Sequence, residues 1–344
     1  MTTPPALLSR MTAAALAGAA LLGSAACTPG ADTGGGIVVT TNILGDITRE
    51  VVGDQAEVTV LMRPNADPHS FALSAREAAV VENAALVVYN GLGLEEGVLR
   101  NVAAAEEAGV PALEVGAGVN PLSFAPAEHG HEGHGHEERA HGEHDQGENG
   151  HGDASAEAGN ESAGEPDPHF WTDPRRVVLA VDLIAEHVVE QVGGVDADTV
   201  RANAAAYTAE LEELDAWMAA EFAAVPEEDR KLVTNHHVFG YLAQRYGFEV
   251  IGTVIPSGTT LASPSTSDLK SLSDAVHEAG VNAVFADSSQ PDRLATVMAE
   301  EAGTRVEVVP LFSESLSEEG QGAATYLEMM RANTESIATG LRGE

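Results

Sequence analysis

The residues in this chain best suited to chemistry are two Asp-Pro-His triplets, Asp67-Pro68-His69 and Asp167-Pro168-His169. Proline fixes φ and biases the residue before it towards extended backbone. Each triplet therefore aims an imidazole from a stiff turn, which a preorganised metal site needs. A third imidazole lies in Thr234-Asn235-His236-His237-Val238-Phe239-Gly240-Tyr241, where a strand pattern passes into a helix pattern. Here either His236 or His237 could point inward. A carboxylate ends another strand pattern in Val284-Phe285-Ala286-Asp287-Ser288-Ser289. Three imidazoles and one carboxylate make a closed four-coordinate set, which zinc accepts as a tetrahedron with bonds of roughly 2.0–2.2 Å. Manganese prefers more oxygen, so the softness of the donors favours zinc. Asp287 also reads as a helix N-cap or as an acceptor for a ligating imidazole.

The elements that must position these groups alternate along the chain. Apolar or β-branched runs at 37–41, 57–62, 85–90 and 112–115 read as strands, with helix patterns at 44–52, 74–83 and 94–108 between them. The second half repeats this, with strands at 231–234, 249–254, 283–286 and 306–309 and helices at 238–246, 267–279, 291–302 and 320–341. Such alternation implies βαβ units and parallel sheets. The expected fold is α/β, with two similar lobes at 37–172 and 223–344 and ligands in the cleft beyond the carboxyl ends of the strands. A long helical pattern over 173–222 links the lobes. Asp173 is its N-cap and Pro174 its first residue, and it dips at Gly193-Gly194, so it is one broken helix or two. His187 and His277 fall on helix patterns as surface residues, and Trp171 and Trp217 read as packing.

Residues 1–26 read as an export signal. Arg10 supplies positive charge, the apolar run 11–22 is too short to span a bilayer, and Ser24, Ala25 and Ala26 precede Cys27, the single cysteine. That arrangement resembles a lipobox, although Ser24 stands where Leu is usual. It implies a lipid anchor on Cys27 at the outer face of the cytoplasmic membrane or in the periplasm, with 27–36 as a flexible tether. Residues 128–167 are rich in His, Gly, Glu and Ala, with hardly any apolar bulk. This composition reads as a disordered loop offering weak metal sites, not the main one. It holds seven of the thirteen histidines: His129, His131, His134, His136, His141, His144 and His151. The net charge of −37 argues against nucleic-acid partners, which are themselves anionic. No His-Glu-x-x-His or Gly-x-Ser-x-Gly motif is present to support a secreted zinc hydrolase, the alternative open to a three-histidine site.

Taken in order, these motifs resemble the metal-receptor family of ABC-transporter substrate-binding proteins, from about residue 37 to the C-terminus. The resemblance rests on Asp67-Pro68-His69-Ser70-Phe71, Asn90-Gly91-Leu92-Gly93-Leu94-Glu95, the acidic His-rich loop, Asp167-Pro168-His169-Phe170-Trp171-Thr172-Asp173-Pro174, His236 ahead of Phe239-Gly240-Tyr241, and Asp287. It implies two α/β lobes joined by a long backbone helix, with His69, His169, His236 and Asp287 as ligands of a transported metal. It also implies a monomeric receptor without enzymatic activity that delivers its cargo to an ABC permease. His237 stands where the family commonly has Asp, and Val238 where it has Ala. Manganese-binding members usually carry a carboxylate at the position of His236, so the resemblance implies zinc as cargo, with manganese or iron as the alternative.

Overall fold

The computed structural model describes residues 35–124, 164–289, 293–301 and 306–343. The export segment 1–26, Cys27, nearly all of the tether 27–36 and most of the His-rich segment 128–167 lie outside the described residues.

The first lobe runs β1 (Gly35–Val39), α1 (Asn42–Val52), β2 (Val58–Val60), α2 (Ala75–Val81), β3 (Ala84–Tyr89), α3 (Leu99–Glu107), β4 (Ala112–Glu114) and the single turn α4 (Val115–Gly118). Then come a 3-10 turn, Phe170–Thr172, and two helices, α5 (Pro174–Gln191) and α6 (Ala197–Ala223). The second lobe follows as β5 (Lys231–Thr234), α7 (Gly240–Tyr246), β6 (Glu249–Thr253), α8 (Thr266–Ala279), β7 (Ala283–Asp287), α9 (Arg293–Glu301), β8 (Glu307–Leu311) and α10 (Tyr326–Arg342). Both sheets are wholly parallel and share one plan, β2-β1-β3-β4 and β6-β5-β7-β8. In that order the connections change direction between β1 and β3, and again between β5 and β7. Parallel α/β sheets bind ligands beyond the strand ends at such points.

The period of two along each strand sorts the side chains into different cores. Ile37 and Val39 of β1, Leu86 and Val88 of β3, Leu232 of β5 and Phe285 of β7 join one large apolar cluster that also takes in α1, α5, α6, α7 and α10. The alternating residues face outward. Val38 and Val87 pack on Val81, Val98 and Val102, while Val233 and Val284 pack on Leu272 and Val276. The inner faces of both sheets thus share a core, which holds the two lobes against the same helices.

The linking segment is two helices, not one. Asp173 caps α5 by accepting from the Arg175 backbone N–H at 2.9 Å, and Pro174 follows at the first helical position. Gly194 adopts φ +88° in the connection, and Asp196 then caps α6 by accepting from the Thr199 N–H at 2.8 Å. The 27 residues of α6 run for about 40 Å. About two-thirds of the way along α6, buried Asp215 accepts from Arg175 Nε (3.1 Å), Arg245 Nε (3.0 Å), Arg245 Nη2 (2.6 Å) and Tyr246 OH (2.9 Å). It therefore ties α5, α6 and α7 together. Asp215→Ala takes this acceptor from the buried Tyr246 hydroxyl and the partly buried Arg245 guanidinium, and urea denaturation is expected to show a loss of about 2 kcal/mol.

Candidate metal centre

Three of the four groups that meet between the lobes follow the carboxyl ends of strands. His69 follows β2, and His169 leads the 3-10 turn ahead of α5. His236 lies between β5 and α7, and Glu314 follows β8. Each is almost fully buried, with His169 and His236 at 0% exposure.

The two Asp-Pro-His triplets build the same turn and use it differently. In each, the aspartate Oδ1 accepts from the backbone N–H of the histidine two residues on, at 2.9 Å. In the second triplet Asp167 Oδ1 also lies 2.7 Å from His169 Nδ1. That contact favours a ring proton on Nδ1, so that Nε2, once deprotonated, can donate its lone pair to a metal. In the first triplet Asp67 Oδ2 instead accepts from Thr260 Oγ1 of the second lobe at 2.7 Å. Asn90 Nδ2 donates to the Pro168 carbonyl (3.0 Å) and Tyr241 OH to the Asp167 carbonyl (2.7 Å), which fixes the backbone of the second triplet.

Asn90 opens a turn that is itself strained. Leu92 adopts φ +53°, a conformation that L side chains rarely take. The turn is held by the buried Glu95 carboxylate, which accepts from the backbone N–H groups of Asn90 (2.8 Å) and Gly91 (3.0 Å) and from Thr40 Oγ1 (2.8 Å).

The segment carrying Glu314 is gripped from both lobes. Trp171 Nε1 donates to the Ser313 carbonyl (2.9 Å), and Asn42 Nδ2 donates to Ser315 Oγ (2.8 Å). The Asn42 Oδ1 accepts from the Leu316 N–H (2.9 Å), and Asn333 closes both backbone groups of Phe312. Trp171, expected to serve packing alone, is thus also a hydrogen-bond donor across the lobes.

The donor atoms at the centre converge on one carboxylate oxygen. Glu314 Oε1 lies 3.0 Å from His69 Nε2, 3.0 Å from His236 Nε2 and 3.2 Å from His169 Nε2. His69 Nε2 and His169 Nε2 are 3.5 Å apart. A tetrahedron with zinc–ligand bonds of about 2.0–2.1 Å has edges of roughly 3.3–3.4 Å, close to all four separations. Glu314 Oε2 is buried without a partner and so remains available to a cation. Among the described residues, these four form the group able to hold a metal ion.

The charges are strongly coupled. Burial opposes ionisation of Glu314, but the neighbouring charges of His236 and His69 and its hydrogen bonds outweigh this and hold the carboxyl well below the usual range. Burial likewise opposes the charged form of His169, yet the adjacent Asp167 and Glu314 carboxylates overcome it and lift its pKa to about 9.

Of the residues singled out from sequence, the structure gathers His69, His169 and His236 and does not gather Asp287. Asp287 spends both oxygens on Ser289 and Ser313, accepting from both hydroxyls and from the backbone N–H groups of Ser289 (2.7 Å) and Ser313 (3.3 Å). Glu314, which the sequence reading passed over, occupies the fourth place. The available signal was its position five residues past the end of the last strand pattern, 306–309. Asp287 also sits at a strand end, and sequence alone does not rank the two. His237 turns away from the cluster, its ring 6.2 Å from that of Phe124 and its N–H on the Ser257 carbonyl. His237→Ala is therefore expected to change zinc affinity by less than about threefold, under 1 kcal/mol, when measured by chelator competition.

Comparison with known proteins matches residues 37–340 to the family described as zinc-uptake complex component A, periplasmic (ZnuA). The manganese-binding lipoprotein MntA of Halalkalibacterium halodurans is 26% identical over 89% of this chain and 88% of its own length. The zinc-binding protein TroA of Treponema pallidum is likewise 26% identical over 89% of this chain and 88% of its own. The iron-binding protein YfeA of Yersinia pestis is 25% identical, over 88% and 85%. The solved structure of TroA superposes with a TM-score of 0.73 over 90% of this chain and 99% of that one, at 24% identity. The family match over nearly the whole described chain agrees with the two parallel lobes and the buried His-rich cluster between them, and the chain belongs to the ZnuA family of metal-binding receptors of ABC transporters.

Proposed function

We propose that this protein is a zinc receptor, holding one zinc ion on His69, His169, His236 and Glu314 and delivering it to an ABC permease. Glu314 takes the place that the sequence reading assigned to Asp287. As a member of its family the protein is a transport receptor and not an enzyme. The observation that carries the zinc reading is the convergence of three buried imidazole Nε2 atoms to within 3.0–3.2 Å of one buried carboxylate oxygen. Nitrogen-rich four-coordination suits zinc, whereas manganese favours more oxygen donors. The named relatives bind manganese, zinc or iron, so the reading rests on this donor set.

Cys27 is proposed to carry the lipid anchor, in keeping with the relatives named lipoproteins. The His-rich segment 128–167 is proposed to supply weak accessory zinc sites near the membrane surface. The functional test is rescue of a strain lacking the gene and starved by a metal chelator. Added zinc is expected to restore growth only when the gene is supplied in trans, while added manganese or iron is not. Gene-dependent rescue by manganese or iron instead of zinc would assign the receptor to that metal.

A further inference from the structure

We propose that Asp287 is the positioning residue for Glu314, acting on metal affinity through Ser313 and not as a ligand. This inference rests on the reading of Glu314 as the fourth ligand.

Asp287 is the last residue of β7 and is buried, at 3% exposure. In the parallel register it stands opposite Leu311, and the Ser288 N–H donates to the Leu311 carbonyl at 2.8 Å. The two strands therefore end side by side, and the Asp287 carboxylate spans the gap beyond them. Oδ1 takes the hydroxyl and N–H of Ser289, while Oδ2 takes the hydroxyl and N–H of Ser313. The Ser313 carbonyl is held by Trp171 of the other lobe. Both backbone groups of Ser313 are thus fixed, one from each lobe, and the next residue is Glu314.

An arrangement with four donors on one carboxylate leaves it no free oxygen to turn towards a cation. Fixing Glu314 before the metal arrives removes the ordering cost from the binding step, which is how outer partners of metal ligands raise affinity.

The test is a double-mutant cycle on zinc affinity in the full mature chain, measured by competition with a chromophoric chelator. Asp287→Asn is expected to weaken zinc binding by about 10–100-fold, and Glu314→Ala by more. In the Glu314→Ala background the further effect of Asp287→Asn is expected to fall below about threefold, because the residue it positions is gone. Circular dichroism and melting of the metal-free variants separate this from general unfolding. If Asp287→Asn does not fold, Ser313→Ala carries the same cycle with a smaller loss. A full, additive loss in the Glu314→Ala background overturns the proposal, as does an Asp287→Asn protein with unchanged affinity. Unchanged affinity in Glu314→Ala alone overturns the ligand reading itself, and the positioning role with it.

Discussion

Replacing His69, His169 or His236 by alanine is expected to weaken zinc binding by well over about a hundredfold, since even an outer partner of a metal ligand is worth about 10–100-fold. Each places one of the four proposed donor atoms in a buried cluster. His169→Ala should be the most damaging. It removes a donor and also the ring contact of 2.7 Å to Asp167 Oδ1, leaving that oxygen with the residue 169 backbone N–H alone. Competition with a chromophoric chelator measures the loss, and circular dichroism of the metal-free variants checks that the lobes still fold. Near-native affinity in any of the three would remove that residue from the ligand set.

The second large effect is with pH, and it has opposite signs in the metal-free and zinc-loaded protein. In the metal-free protein the raised pKa of His169, about 9, means that the folded state keeps a proton the unfolded chain releases near 6.5. That stabilisation is fully present below about pH 6.5 and is lost as pH rises through about 9, a total of roughly 3 kcal/mol. Glu314 acts in the other direction, because its pKa is depressed. Its contribution is present above the ordinary carboxylate range and disappears as pH falls through its folded value. The metal-free protein should therefore be most stable at mildly acid pH.

Zinc needs the Nε2 lone pairs, so binding at neutral pH must expel the proton held by His169. Affinity should rise about tenfold per pH unit for each proton released, up to about pH 9. Calorimetry in two buffers of different ionisation enthalpy is expected to show at least one proton released per zinc at pH 7. Acidification reverses the exchange, and zinc dissociates as the imidazoles recharge. Affinity that stays constant across this range, with no proton released, would show that the imidazoles are not the ligands.

Much of this architecture is legible in the sequence because it depends on local signals. The alternation of β-branched runs with helix patterns marks every strand, and the Asp-Pro-His triplets announce two of the four groups at the centre through their backbone chemistry alone. The differences have local causes. The helix pattern at 94–108 begins only at Leu99, because Glu95 is committed to holding the strained turn at Leu92. The pattern at 320–341 begins at Tyr326, since Gly320 and Gly322 adopt positive φ and Thr325 is the N-cap. At 266–279 a capping box of Ser265 and Asp268 sets a start that apolar periodicity alone does not show.

The fourth member of the centre was not legible for a different reason. Asp287 and Glu314 both follow strands in the second lobe, and their roles depend on register. The pairing of Asp287 with Leu311 sets the two strand ends level, which brings Ser313 onto Asp287 and carries Glu314 into the cleft. Register and the grip of Asn42 and Trp171 are long-range facts, with partners up to 274 residues apart in sequence. No pattern within a window of ten or twenty residues contains them. That His236 and not His237 joins the cluster likewise depends on the path of the chain between β5 and α7.

The most direct test of the account is X-ray absorption at the zinc edge on mature protein loaded with one equivalent of zinc. The expected spectrum has a four-coordinate shell of nitrogen and oxygen at about 2.0–2.1 Å, with outer-shell scattering from three imidazoles. In Glu314→Ala the three imidazole signals should remain, with water in place of the carboxylate. A six-coordinate shell dominated by oxygen, or one containing fewer than three imidazoles, would contradict it.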